Sequence, residues 1–198
     1  MNWQTLLSLG DSITIGSRSY LGYPEACCAF LRKELDQHWN AVNFATAGYR
    51  AIDLARSMDM SQAHLQASRP GVVSLLIGTN DAKNGTPDEA FSAAYEQVLV
   101  KSRLIAGHAN IIAIHVPLLL PGMLYPYLPR MNDLIDGYNR IIARMATEHG
   151  VRTFALDLGP EHFFDGVHLN DHGAQEAGRQ LGGFILNDKR IAAVTDLP

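Results

Sequence analysis

The chain has 198 residues, 47% apolar and 18% charged, the balance of an ordinary globule long enough to bury a core without disulfide staples. A formal net charge of −4 without any basic run speaks against nucleic acid or an anionic membrane surface as the main partner. Residues 111–120, the longest apolar stretch, are broken by His115 and Pro117, and Met1-Asn2-Trp3-Gln4 carries no basic leader region, so one cytoplasmic domain over residues 1–198 is expected.

Short unalternating apolar runs at residues 5–9, 41–45, 72–77, 111–116 and 151–156 predict strands buried on both faces. The first runs out into Gly10-Asp11-Ser12. A helix follows with adjacent Cys27 and Cys28, which suit neither disulfide nor metal-site spacing and read as small apolar residues. The second run ends in Thr46-Ala47-Gly48, and Met58 and Met60 fall on the helix beyond it, in its core or on its surface. The third leads into Gly78-Thr79-Asn80-Asp81. Thr86-Pro87-Asp88-Glu89 reads as a capping box with proline at the first helical position, opening a helix to about residue 105.

The fourth run ends near His115, expected to be structural or pocket-lining because no partner stands at motif spacing. Residues 117–129 then combine four prolines with leucines, methionine and two tyrosines, a composition that stops helix and strand alike. A helical face at Met131, Leu134, Ile135, Tyr138, Ile141, Ile142 and Met145 closes at Gly150. Asp165-Gly166-Val167-His168 follows the fifth run, and Asn170 or Asp171 caps a last helix built on Ala174, Ala177, Leu181, Phe184 and Ile185.

This alternation predicts an α/β fold, a mostly parallel sheet covered on both faces, whose ligands bind beyond the carboxyl ends of the strands. Ser12, Gly48, Asn80, Asp165 and His168 all follow strands and share that rim. In isolation each has a plain structural reading: Asp11-Ser12 as a cap, Gly48 as a loop glycine, Asp165-Gly166 as a turn. Together they make a set. Acyl transfer needs a hydroxyl, a base, an orienting carboxylate and oxyanion donors. Ser12, His168 and Asp165 suit the first three, and the N–H groups of Ser12 and Gly48 with the Asn80 amide suit the last.

Four ordered blocks carry a resemblance to the SGNH (GDSL) hydrolases: Gly10-Asp11-Ser12-Ile13-Thr14; Asn43 with Gly48; Gly78-Thr79-Asn80-Asp81; and Asp165-Gly166-Val167-His168-Leu169-Asn170. Ala45 stands where many members have a further glycine. The resemblance implies a flavodoxin-like three-layer αβα fold with a five-stranded parallel sheet, and an esterase or lipase needing no cofactor or metal. It further implies Ser12 as nucleophile, His168 as base, Asp165 as its orienting carboxylate, and Gly48 and Asn80 completing an oxyanion hole with the Ser12 amide. Asp11 is expected to hold the loop and Asp81 to cap the segment after it.

Two other readings fit part of the pattern. His168 and His172, four apart, suit a metal hydrolase only if both lie on one helix, whereas a cap at Asn170 leaves His168 in the loop before it. A non-catalytic ligand-binding domain on the same fold is the other. Residues 117–129 read either as a long connection packed on the core or as the wall of an acyl or aromatic subsite, with Leu119, Leu120, Met123 and Tyr125 against the substrate, and the pattern does not decide whether they move as a lid. Their few charges speak against a strongly anionic head group, Arg18, Arg50 and Arg130 being the cations able to approach. The expected partner is a small-molecule acyl ester. Carboxylester, thioester, lysophospholipid and acetylated sugar all fit, and the pattern assigns no oligomeric state.

Overall fold

The computed structural model describes residues 3–107, 110–122 and 126–187. Among the described residues, strands β1 (Trp3–Gly10), β2 (His38–Ala45), β3 (Val72–Leu76), β4 (Asn110–Ile114) and β5 (Arg152–Phe154) form one sheet in the order β2-β1-β3-β4-β5, every neighbouring pair parallel. Around it lie helices α1 (Ser12–Ile15), α2 (Tyr23–Leu35), α3 (Ala51–Ala67), α4 (Thr79–Lys83), α5 (Asp88–Ala106), α6 (Asn132–Glu148) and α7 (Asp171–Leu186). The α/β, flavodoxin-like three-layer fold expected from the sequence is the one observed, and its sheet is wholly parallel.

Strand β1 shows why its sequence does not alternate. Leu7 and Leu9 pack with α3, α5 and α6, while Leu6 packs with α2 and α7 on the opposite face. All three are fully buried, and each burial stabilises by roughly 1.5–3 kcal/mol. The strand that carries Ser12 to the rim is thus anchored in both layers of the core. Across it, the Ser8 and Ser74 hydroxyls answer each other at 2.7 Å in the β1–β3 register, so neither is left orphaned in the core.

Several element boundaries differ from expectation, each for a local reason. Strand β2 starts at His38, where the imidazole stacks on Trp3 of β1 at 4.8 Å and extends the pairing. Strand β5 has three residues, because β4 offers partners only from Ile112 to Ile114. Helix α5 begins at Asp88, with Pro87 flanking it and no side-chain cap; Thr86 turns instead to Asp81. Asn170 does cap α7, its Oδ1 accepting from the Gly173 N–H at 2.8 Å, and Gly150 follows α6 at φ +62°. Met58 is core and Met60 surface. Cys27 and Cys28 lie buried in α2, and burial pushes both thiols up, Cys28 to about 12, which keeps them unreactive.

Candidate active site

The chain leaves β1 across one face of the sheet and leaves β2 across the other, so the connections beyond the carboxyl ends of β1 and β3 diverge around a crevice. Gly10 ends β1 there. A Cβ on it would stand 2.5 Å from the Leu76 carbonyl oxygen, so only glycine lets the two strand ends close up. Asp11 then caps α1, its Oδ1 accepting from the Ile13 N–H at 3.0 Å, and Ser12 becomes the first residue of that helix.

Ser12 Oγ lies 3.0 Å from His168 Nε2, and His168 Nδ1 lies 2.8 Å from Asp165 Oδ2, joining residues 156 apart in sequence. The spacing of Asp165 and His168 has a mechanical cause. Asp165 Oδ1 accepts from the backbone N–H groups of Val167 (3.1 Å) and His168 (2.8 Å), which curls the turn until the ring meets Oδ2. Burial works to raise the Asp165 carboxyl, but the His168 backbone N–H, its ring and the Val167 N–H outweigh it and hold the group below the ordinary carboxylate range. Both ring nitrogens of His168 are thus engaged, while His172 stands on α7 stacked on His162 at 4.7 Å. The two histidines do not share a site.

The relay opens into a cleft of about 480 Å³ lined by Ser12, Gly48, Asn80 and His168 together with Ser17, Arg18, Ala47, Lys83 and Tyr127. Gly48 is exposed at φ +86°, a conformation that favours glycine. The Asn80 amide donates to the Tyr49 carbonyl at 3.0 Å and reaches Asp11 Oδ2 at 3.4 Å, while its Oδ1 accepts from the Tyr127 hydroxyl at 3.2 Å. The Tyr127 ring also stands edge-on to His168, with centroids 6.3 Å apart.

Asp81 is hydrogen-bonded by Thr86 of the segment after it and also reaches across the fold. Its Oδ2 accepts from the Ala51 N–H at 2.9 Å, capping the first turn of α3 from across the fold. Asp11 is fully buried, and desolvation raises its carboxyl from 3.8 to about 7, opposed by the Ile13 N–H and reinforced by Asp81, itself raised to about 6. Between pH 4 and 7 the folded chain therefore holds a proton at Asp11 that the unfolded chain has released. Stability falls as pH rises through that window, by on the order of 4 kcal/mol. Asp11→Asn keeps an acceptor for Ile13 and removes this dependence. Urea denaturation should show the variant gaining on the parent by that order between about pH 4 and pH 8; a constant gap between the two proteins would refute it.

The substrate-contacting residues expected from segment 117–129 fare differently. Leu119 is a core residue, 4% exposed and clamped by both amide atoms of Asn132, so its assignment to the cleft is corrected. Leu120 is half-buried and tied to the Gly166 carbonyl at 2.9 Å, away from the cleft lining. Met123 and Tyr125 lie outside the described residues. Among the described residues of the segment, Tyr127 lines the cleft, and sequence reasoning passed over it. Lys83 was also missed, although its place three residues after Asn80 on α4 puts it on the same helical face. Of the three arginines, Arg18 lines the cleft, Arg50 pairs with Asp53 at 3.0 Å, and Arg130 lies outside the lining. His115 is half-buried, its pKa lowered by burial, and stands outside the cleft.

The fold brings these rim residues together at its topological switch point. The model of the GDSL-like Lipase/Acylhydrolase family matches residues 8–176, and the chain belongs to that family, an ester-hydrolysing one. A comparison with curated protein sequences returns no match. Among solved structures, the chain is similar to Axe2, an acetylxylan esterase from Geobacillus stearothermophilus, at 20% identity and a TM-score of 0.68, covering 90% of this chain and 92% of that one. It is also similar to LAE5, an α/β hydrolase from the metagenome of Lake Arreo, Spain, at 19% identity and a TM-score of 0.71, covering 93% and 97%. No helix among the described residues is long and apolar enough to cross a membrane.

Proposed function

We propose that this protein, acting as one catalytic domain, hydrolyses small acyl esters through an acyl-Ser12 intermediate. The observation that carries this reading is the continuous path from Ser12 Oγ through His168 to Asp165, at 3.0 Å and 2.8 Å. Ser12 Oγ attacks the acyl carbon as its proton passes to His168 Nε2, and Asp165 stabilises the imidazolium that forms. The oxyanion is received by the N–H groups of Ser12 and Gly48 and by the Asn80 amide, whose long 3.4 Å contact with Asp11 is the one it exchanges. The departing alcohol takes the proton from His168. A water then gives its proton to the same nitrogen, attacks the acyl carbon and frees Ser12.

A serine-directed fluorophosphonate is expected to label the Ser12 peptide and abolish turnover of activated short-chain esters, while a chelator leaves that turnover intact. Labelling elsewhere, or none alongside active hydrolysis, would sink the reading. Acetylated sugars belong in the substrate panel because an acetylxylan esterase shares the fold.

Tyr127 acts here as a positioning residue. Its hydroxyl holds Asn80 Oδ1 and so fixes which way the amide hydrogens face. Tyr127→Phe keeps the ring against His168 and removes one hydrogen bond of about 0.5–1.5 kcal/mol, so kcat should fall by roughly 2- to 10-fold. Because the loss is confined to the charged transition state, KM should stay near that of the parent. A KM change with unaltered kcat would assign Tyr127 to ground-state binding instead.

A further inference from the structure

We propose that the ester this cleft selects carries a negative charge, a carboxylate or phosphate near the scissile bond, held by Lys83 and Arg18. The inference rests on the acyl-Ser12 reading and extends it to substrate class.

The cleft's charge runs against that of the chain. The protein carries a formal net charge of −4, yet the cleft lining includes two permanent cations and no carboxylate. Lys83 is half-buried, and its ammonium sits 5.6 Å from the Tyr127 ring centroid with no carboxylate in ion-pair range among the described residues. Held by an aromatic face and partly out of water, a lysine without a counter-ion is poised to accept an anion. Its backbone is one helical turn from Asn80, which puts that anion beside the oxyanion site.

Arg18 enters the cleft from the connection between α1 and α2. Among the described residues its acidic contact is Asp165 Oδ2, 3.9 Å from Nε of a side chain that is 55% exposed. That carboxylate, on a side chain only 10% exposed, is already answered by His168 and two backbone N–H groups, and at 3.9 Å the guanidinium lies beyond hydrogen-bond distance of it. Arg18 also lies over Phe164, its Cζ 5.9 Å from the ring centroid, and a guanidinium at a cleft wall suits a carboxylate or phosphate by its planar set of donors. The scarcity of charge in segment 117–129 pointed toward neutral substrates, but the cations come from α4 and the connection after α1.

The test uses matched ester pairs differing in one anionic group. Mono-4-nitrophenyl glutarate against 4-nitrophenyl pentanoate places the charge on the acyl side. 4-Acetoxybenzoate and 4-acetoxyphenyl phosphate, each against 4-acetoxyanisole, place a carboxylate or a phosphate on the alcohol side. In at least one pair kcat/KM should favour the anionic member about tenfold, and the preference should shrink as NaCl rises from about 20 to 500 mM. Lys83→Met should cut the anionic-to-neutral ratio at least fivefold, and Lys83→Arg should retain it. Equal or better turnover of every neutral partner, or a ratio untouched by Lys83→Met, overturns the proposal. Turnover of the neutral esters, present in the parent and lost in Ser12→Ala, reports on the acyl-enzyme reading separately, so the two can fail independently.

Discussion

Replacing Ser12 with alanine is expected to lower kcat for an activated short-chain ester by about three to six orders of magnitude while leaving the fold intact. The side chain is 6% exposed and its hydroxyl's partner is His168, so truncation removes one oxygen and opens no sizeable cavity. The backbone N–H of residue 12, its place at the start of α1 and the Asp11 cap all persist in the variant. Residual catalysis then comes from the donors alone, which is why the activity falls far without reaching the rate in water. The measurement is kcat for 4-nitrophenyl acetate, with thermal melts of both proteins to confirm folding. A loss below about tenfold would remove Ser12 from the chemistry.

Asp165→Asn should cost about four orders of magnitude in kcat, by a different route. The amide oxygen of the variant can still accept the Val167 and His168 backbone N–H groups that Oδ1 accepts now, so the turn keeps its shape. Its NH₂ group then faces His168 Nδ1, where the carboxylate accepts at present. Two donors cannot pair, so the ring moves its proton to Nε2 and presents Ser12 with N–H instead of a lone pair. Geometry survives and the tautomer is lost. If the variant kept most of its activity, Asp165 would be a turn-former only, and the base would owe its orientation to something else. The depressed carboxyl of Asp165 carries a corollary: the limb of the pH profile set by this residue lies on the acid side of the ordinary carboxylate range.

Most of the rim was legible because each functional residue follows a strand, and strands buried on both faces write themselves as apolar runs. Leu6, Leu7 and Leu9 face different layers, so no alternation obscured β1. The turn Asp165–His168 was legible for a similar reason, since its spacing is set by hydrogen bonds within four residues. What escaped was long-range or aperiodic. Nothing local tells that Asp81 reaches Ala51, 30 residues away, as well as Thr86 of the segment after it. In a proline-broken stretch no period says which side chain turns inward. Leu119 was therefore placed in the cleft when Asn132 holds it in the core, and Tyr127 was passed over for Tyr125. Lys83 was overlooked because a lysine ending a short helix resembles any solvated charge.

The carboxylate of Asp81 at the start of α3 bears on how this cleft can change over time. With the Asn80 amide on the Tyr49 carbonyl, it fastens α4 to the connection that carries Gly48, so those two elements shift together or not at all. Arg18 and Ser17, by contrast, stand on the exposed connection after α1, which is held by the Ser17 backbone N–H on the Ser12 carbonyl at 3.1 Å, a tie that a change of side chain leaves in place. Substitutions that retune preference among substrates should therefore accumulate on that free bank. The pinned bank should tolerate few, because a replacement there disturbs a helix cap as well as a contact with the ester. A library aimed at new specificity is best spent at positions 17 and 18, where a failed variant is merely unselective and not unfolded.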